Sequence, residues 1–299
     1  MREEGLMELT TSLFLQLIFQ GLIMGVIYAT IALGLTMVYG LLRILHIAHA
    51  SVYTWGAYVA LTVYLATHNI LLAILACSAV CAILGIAIER GLYLPMLDKP
   101  AYVPLIMSVA TYLLMCELCA NIWGHYPLGF HVAEMPRESY NVGGVVIGVH
   151  QLTLLAIISG LIVVLWFIIN RTKIGLASRA VAQDQDVAKV MGINVRKIVD
   201  FNFIVSSVLA GIGGTLVGMY YAELKPYMGD VVAYKALVVI VLGGLGSVPG
   251  AIVGSLILGI AETFLIAFFG HLLPREAFAF IIMIVLLLFR PQGLFGKVE

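Results

Sequence analysis

Charge is what this chain has least of. Asp, Glu, Lys and Arg make up 11% of its 299 residues, against about 25% in a typical soluble domain. So little charge cannot keep a globule of this size in water, and an apolar share of 62% with a mean hydropathy of +1.08 carries the same message. A soluble globular fold is excluded, and the solvent is a bilayer. Sixteen basic residues balance sixteen acidic ones, so no net field draws the chain to nucleic acid. Cysteine is scarce too. Cys77, Cys81, Cys116 and Cys119 lie inside apolar runs, the setting of small buried hydrophobes rather than of a secreted disulfide framework. No Gly-x-x-x-x-Gly-Lys-Ser/Thr stretch occurs, so no nucleotide or other cofactor is expected on this chain, and any ATP hydrolysis falls to a partner.

What is present is a series of long apolar runs. Crossing about 30 Å of hydrocarbon takes about 20 apolar residues in a helix, because each adds about 1.5 Å. That length picks out spans near 13–40, 51–67, 70–89, 102–123, 152–170, 200–222, 250–270 and 277–290, with a shorter ninth stretch at 232–247. The first is too long for a signal-peptide core. Lipid leaves backbone polar groups unsatisfied and the runs lack the alternation of barrel strands, so the expected fold is all-α, a polytopic transmembrane helical bundle of about eight to nine spans. Residues 1–299 read as one membrane domain, with 171–197 as a cytoplasmic segment inside it.

The basic residues set the orientation. Arg171, Lys173, Arg179, Lys189, Arg196 and Lys197 share one connection; if the 232–247 stretch crosses, Arg90, Lys99, Arg290 and Lys297 join them to put ten on one side, against Arg137, Lys225 and Arg275 on the other. The richer side is the cytoplasmic one. Within 171–197, Asp184 suits an N-cap, Asp186 a first helical turn and Gly192 a C′ position, which predicts a two-turn helix. Val187, Val190 and Met191 would form its apolar face, ringed by charge. Such a face either rests on lipid headgroups or docks on a cytosolic partner.

Two places interrupt the apolar pattern, His46 to Ser51 and Gly243 to Gly250. In a bilayer, irregular backbone is tolerated where protein or a water-filled cavity satisfies it, so both are candidates to line a solute path. His46 and His49 are also spaced like half a metal site, but structural zinc normally takes four ligands and no acid or thiol is adjacent. Glu117, Lys235 and Glu262 are the charges expected nearest membrane depth. Glu262 is either a polar tie between helices or part of the path; Lys235 and Glu117, near span ends, are expected to snorkel. Gly21/Gly25, Gly214/Gly218 and Gly250/Gly254 have the spacing of close helix crossings.

At this point the sequence resembles a known family. Gly175-Leu-Ala-Ser-Arg-Ala180 followed by Ala188-Lys-Val-Met-Gly-Ile-Asn194 is similar to the cytoplasmic coupling segment of branched-chain amino acid ABC transporter permeases. Tyr39-Gly40, Ala48-His49 and Gly56-Ala57-Tyr58 resemble that family's first block. Lys235-Ala236 leading to Leu242-Gly-Gly-Leu-Gly-Ser-Val-Pro-Gly250 and Glu262 resembles its glycine-rich block, and Arg290-Pro-Gln-Gly-Leu-Phe-Gly296 its C-terminal signature. The chain departs from the family's usual Asn-Phe-Ala-His-Gly-acid run at His46, Ala50 and Ser51, which leaves substrate preference open there. The resemblance implies a multi-pass inner-membrane permease subunit, not an enzyme, that moves branched-chain or other hydrophobic amino acids. Its implied partners are a second permease, two cytosolic ATPase subunits and an extracytoplasmic binding protein. The coupling residues would be Arg179, Asp184, Asp186, Val187, Ala188, Val190, Met191 and Gly192; the path residues His46, His49, Gly243, Gly244, Gly246, Ser247 and Glu262. The rival expectation is a self-sufficient ion-coupled secondary transporter with Glu117 or Glu262 as its ion site.

Overall fold

The computed structural model of the chain describes residues 2–96, 99–100, 102–132 and 138–296, with side chains from Thr11 onward. Arg137 and Lys297, used above for orientation, lie outside them. Helix α1 (Arg2–Leu42) is followed by α2 (His49–Thr67), α3 (Ile70–Ile88) and α4 (Tyr102–Trp123). Strand β1 (Leu128–Gly129) and the hairpin of β2 (Ser139–Val142) and β3 (Val145–Gly148) precede α5 (Val149–Arg171). The short helices α6 (Lys173–Gln183) and α7 (Gln185–Val190) lead into α8 (Val195–Tyr221) and β4 (Glu223–Leu224), and the chain closes with α9 (Gly229–Gly243), α10 (Val248–Phe269) and α11 (Arg275–Phe289).

Among the described residues, six helices are long and apolar enough to cross a membrane, those containing α1, α3, α4, α5, α8 and α10. This corrects the count of eight to nine. The stretches read as spans at 51–67, 232–247 and 277–290 fall short for identifiable reasons. α2 carries His49, Ser51, Thr54 and several tyrosines, while α9 and α11 have 15 residues each. All three nonetheless pack in the same bundle. The core is built on α1, α2 and α8, which carry seven of the twelve largest fully buried side chains.

Glycine sets how closely the central helices approach. A Cβ on Gly25 of α1 would sit 2.8 Å from the Leu256 Cα of α10, and one on Gly21 2.7 Å from the Ile260 Cα, so these crossings have no room for side chains. Gly214 and Gly218 likewise lie against Tyr53 and against Leu224 and Phe130, and Gly250 against Gly243. Packing is what the structure makes of all three spaced pairs. The four cysteines are buried and free. Cys77 and Cys81 flank Gly211, where an added Cβ would meet both sulfurs.

α1 ends at Leu42, next to the 171–197 segment: Gln185 Nε2 donates to the Leu41 carbonyl at 2.8 Å. Arg90 and Asp200 meet at that end at 2.7 Å, and the tail after α11 folds back on it. We refer to it as the basic end. The β2–β3 hairpin lies at the opposite, far end, turning through Gly143 and Gly144 at φ 61° and 86°, a geometry two consecutive glycines permit. Gln16 of α1 pins it there by pairing with both backbone groups of Val146 at 2.7 and 3.1 Å.

Candidate functional site

Two helices start inside the bundle rather than at its surface. After Leu42 the chain turns through Arg43 at φ 55° and re-enters the bundle, so that α2 begins at His49, which is 1% exposed. α9 begins at Gly229 against the first turns of α2; a Cβ there would lie 2.9 Å from Thr54 Oγ1 and close against the Ala50 carbonyl. Around these starts a cleft of about 310 Å³, counted with its mouth, lies between α1, the 43–48 turn and α9, and His46, His49, Ile31, Leu35, Ala233 and Ala236 help line it. Its walls are almost wholly apolar apart from the two imidazoles.

Those imidazoles are 5.4 Å apart between ring centroids. His46 Nδ1 pairs with the Tyr93 hydroxyl at 2.7 Å, whereas its Nε2 has no partner. Neither ring nitrogen of His49 makes a well-formed hydrogen bond, and its Nε2 edge fills the space a Cβ on Gly34 would take. Among the described residues no group of three His, Cys, Asp or Glu side chains is assembled that would hold a metal.

A second cluster spans α1, α9, α10 and α11. Lys235 Nζ meets Glu262 Oε1 at 2.5 Å and the Tyr28 hydroxyl at 2.7 Å. Arg275, at the start of α11, reaches the same Glu262 oxygen at 2.6 Å, with side-chain exposures of 38% for Arg275 and 0% for Glu262. Lys235 therefore does not snorkel as the sequence suggested. At 2% exposure it is held in the interior, because α9 starts inside the bundle and so carries Lys235 away from any headgroup layer. Glu262 belongs to this network and does not line the cleft. Glu117 is exposed on α4 and accepts a 2.5 Å hydrogen bond from the Tyr227 hydroxyl. Nearby, Tyr112 donates to Asp230 in the first turn of α9.

The basic end holds the remaining sequence-predicted residues. Asp184 caps α7, accepting from the Asp186 and Val187 amides at 2.8 and 3.0 Å, and Gly192 follows with φ 80°. Val187, Val190 and Met191 are 58%, 87% and 76% exposed, so this apolar face is left uncovered by the described residues, whereas Ala188 is buried. Arg179, Gly246, Ser178 and Asn202 line a second cleft of about 380 Å³, walled by α1, α6 and α8 and by the turn before α10. Gly243, Gly244 and Ser247 form that turn, with Ser247 capping α10 through the Gly250 amide at 3.1 Å. The histidines and the glycine turn thus line two different clefts along α1 and are not brought together. Sequence reasoning missed Tyr93, Gly34, Tyr28 and Arg275, whose roles depend on partners far away in the chain.

Buried starts of helices, an ion network at depth and a capped helix at the basic end define a multi-pass membrane protein of the transporter class. The family described as branched-chain amino acid transport system, permease component, matches residues 17–289, and the chain belongs to that family. It is similar to the high-affinity branched-chain amino acid transport system permease protein BraD of Pseudomonas aeruginosa, 32% identical with 96% of this chain and 97% of that protein covered. It is 30% identical to LivH of Escherichia coli strain K12, with 96% of each chain covered. A probable branched-chain amino acid transport permease, LivH of Methanocaldococcus jannaschii, is 29% identical over 89% of this chain and 87% of its own length.

Proposed function

We propose that the chain is the inner-membrane permease subunit of an ABC importer for branched-chain or other hydrophobic amino acids. It works with a second permease, two cytosolic ATPases and an extracytoplasmic binding protein, and substrate crosses by alternating access while the ATPases supply the energy. The observation that carries this reading is α7, a capped helix at the basic end that offers Val187, Val190 and Met191 to a partner and is tied through Gln185 to the end of α1. Motion of a docked ATPase has there a direct mechanical route into the bundle. Residues 171–197 serve as the coupling segment of a single membrane domain, and the two clefts along α1 mark the path. Family membership supports the same reading. An ion-coupled transporter finds less support, because Glu262 is already held by Lys235 and Arg275.

The test is energetic. Vesicles holding the assembled transporter should stop accumulating L-leucine when internal ATP is removed, and continue when a protonophore collapses the gradient at constant ATP. Uptake that follows the gradient instead of ATP overturns the reading.

A further inference from the structure

Helix α11 is held at its two ends in different ways. At the basic end the tail that follows it is stitched to the glycine turn, the Leu294 and Phe295 amides donating to the carbonyls of Leu242 and Gly243 at 2.8 and 3.0 Å. Its start lies one helix length away, about 22 Å for 15 residues, toward the far end. There the connection 270–274 is exposed throughout, and no side chain caps the helix. Along its whole length α11 buries Phe278 and Ala279 alone, both within one turn of Arg275. An element with so few buried contacts opens at low cost, and what secures its far end is Arg275. That arginine is redundant at both of its acceptors. Glu262 Oε1 accepts from Arg275 Nε at 2.6 Å and from Lys235 Nζ at 2.5 Å. The Tyr28 hydroxyl accepts from Arg275 Nη2 at 3.3 Å and from Lys235 Nζ at 2.7 Å. Glu262 Oε2 is buried with no partner among the described residues, so the carboxylate has spare capacity for the lysine.

We infer that α11 is a strap, hinged at its basic end and latched at its far end by Arg275, which swings outward during the transport cycle. Lys235 is the positioning residue that keeps Glu262 neutralised while the latch is open. The inference rests on the proposed function, in which opening at the far end is the half of alternating access that admits substrate. Breaking a buried ion pair is costly because it strands a charge; here it strands none. When Arg275 withdraws, Lys235 still holds the carboxylate and the Tyr28 hydroxyl. Arg275, its side chain 38% exposed, turns to water, and Glu276 beside it in the first turn of α11 travels with it as a counter-charge. Lys235, fully enclosed, has no such exit. Two cations on one oxygen thus have different tasks, one fixed and one exchangeable.

The experiment reads the swing with a single cysteine on the buried face of α11, in the complete assembled transporter with its four native cysteines replaced by alanine and reconstituted in vesicles. Ala279→Cys should react with a membrane-impermeant thiol reagent on the extracytoplasmic side during ATP-driven L-leucine uptake, and about tenfold more slowly at rest. Phe278→Cys is the second reporter, used where the first impairs uptake. Arg275→Gln removes the latch and should raise resting labelling about tenfold. Lys235→Met makes Arg275 the sole counter-ion of Glu262, so that opening now strands a buried carboxylate. Turnover labelling and uptake should then both fall on the order of a hundredfold. Adding Glu262→Gln to Lys235→Met leaves no charge to strand and should restore the labelling. A purely structural tie gives the reverse, a double variant no better than Lys235→Met. That result, or reporters that never label while ATP-driven uptake is intact, would overturn the inference, whereas loss of ATP dependence in the wild type sinks the function it rests on.

Discussion

Glu262→Gln should be more damaging than Lys235→Met, even though the two residues form one ion pair. Both Lys235 and Arg275 bond the same oxygen of Glu262, at 2.5 and 2.6 Å. Removing the carboxylate charge therefore leaves two cations facing each other around Tyr28, to which each also donates, at 2.7 and 3.3 Å. Breaking a buried pair from one side costs about 3–5 kcal/mol, because the remaining charge is uncompensated. Lys235→Met leaves Glu262 neutralised by Arg275, and the apolar side chain suits a site 2% exposed; its cost is closer to that of lost hydrogen bonds, about 1–2 kcal/mol. The double variant keeps only Arg275, whose side chain is 38% exposed and can turn to water, so it should be more stable than Glu262→Gln alone. Thermal inactivation half-lives of the purified transporter give the ranking, read as kinetic stability because membrane complexes rarely unfold reversibly. Additive losses in the double variant, or equal losses in the two single ones, would refute the argument that one carboxylate holds two cations.

Further outcomes follow from the basic end and from the two clefts. Val187→Asp with Met191→Asp should abolish co-purification of ATPase subunits and ATP-driven uptake while leaving membrane insertion intact, since both side chains are exposed; retained co-purification and uptake would remove α7 as the docking element. Single cysteines at Ala50 and Ser247, in a background where the four buried native ones are alanine, should differ toward a water-soluble thiol reagent. Ser247, in the turn at the basic end, should label from that side, and Ala50, 1% exposed, only under turnover conditions. No labelling at either position in any transport state would count against a path along α1.

How much of this was legible in sequence depends on the distance over which each feature is determined. The α7 helix was legible because its signals are local: Asp184 caps amides two and three residues on, and Gly192 takes the positive φ that ends such a turn. The spaced glycines were legible for the same reason. The position of Lys235 was not, because hydropathy locates a charge relative to the ends of its own apolar run, and α9 begins inside the bundle. Its partners Tyr28 and Glu262 lie 207 and 27 residues away, and no periodicity carries that information. The hairpin at 139–148 did carry a signal, the Gly143-Gly144 pair, which a search for apolar length passes over.

Two of the sequence blocks that carry the family resemblance prove to be one structural unit. The glycine turn breaks the chain between α9 and α10, which leaves the last carbonyls of α9 without helical partners. At membrane depth or at its edge such groups must be satisfied by protein. The C-terminal signature does so: the Leu294 and Phe295 amides donate to the carbonyls of Leu242 and Gly243 at 2.8 and 3.0 Å. This backbone-to-backbone seam requires close approach, since a Cβ on Gly244 would stand 2.6 Å from the Gly296 amide nitrogen, and one on Gly293 2.6 Å from the Val241 carbonyl oxygen. The glycines at 243–246 and those in Arg290–Gly296 are thus two sides of a single joint. α9 runs from that joint past the Lys235 network to the cleft where α2 begins, so one rigid 15-residue helix connects the basic end with both buried polar clusters.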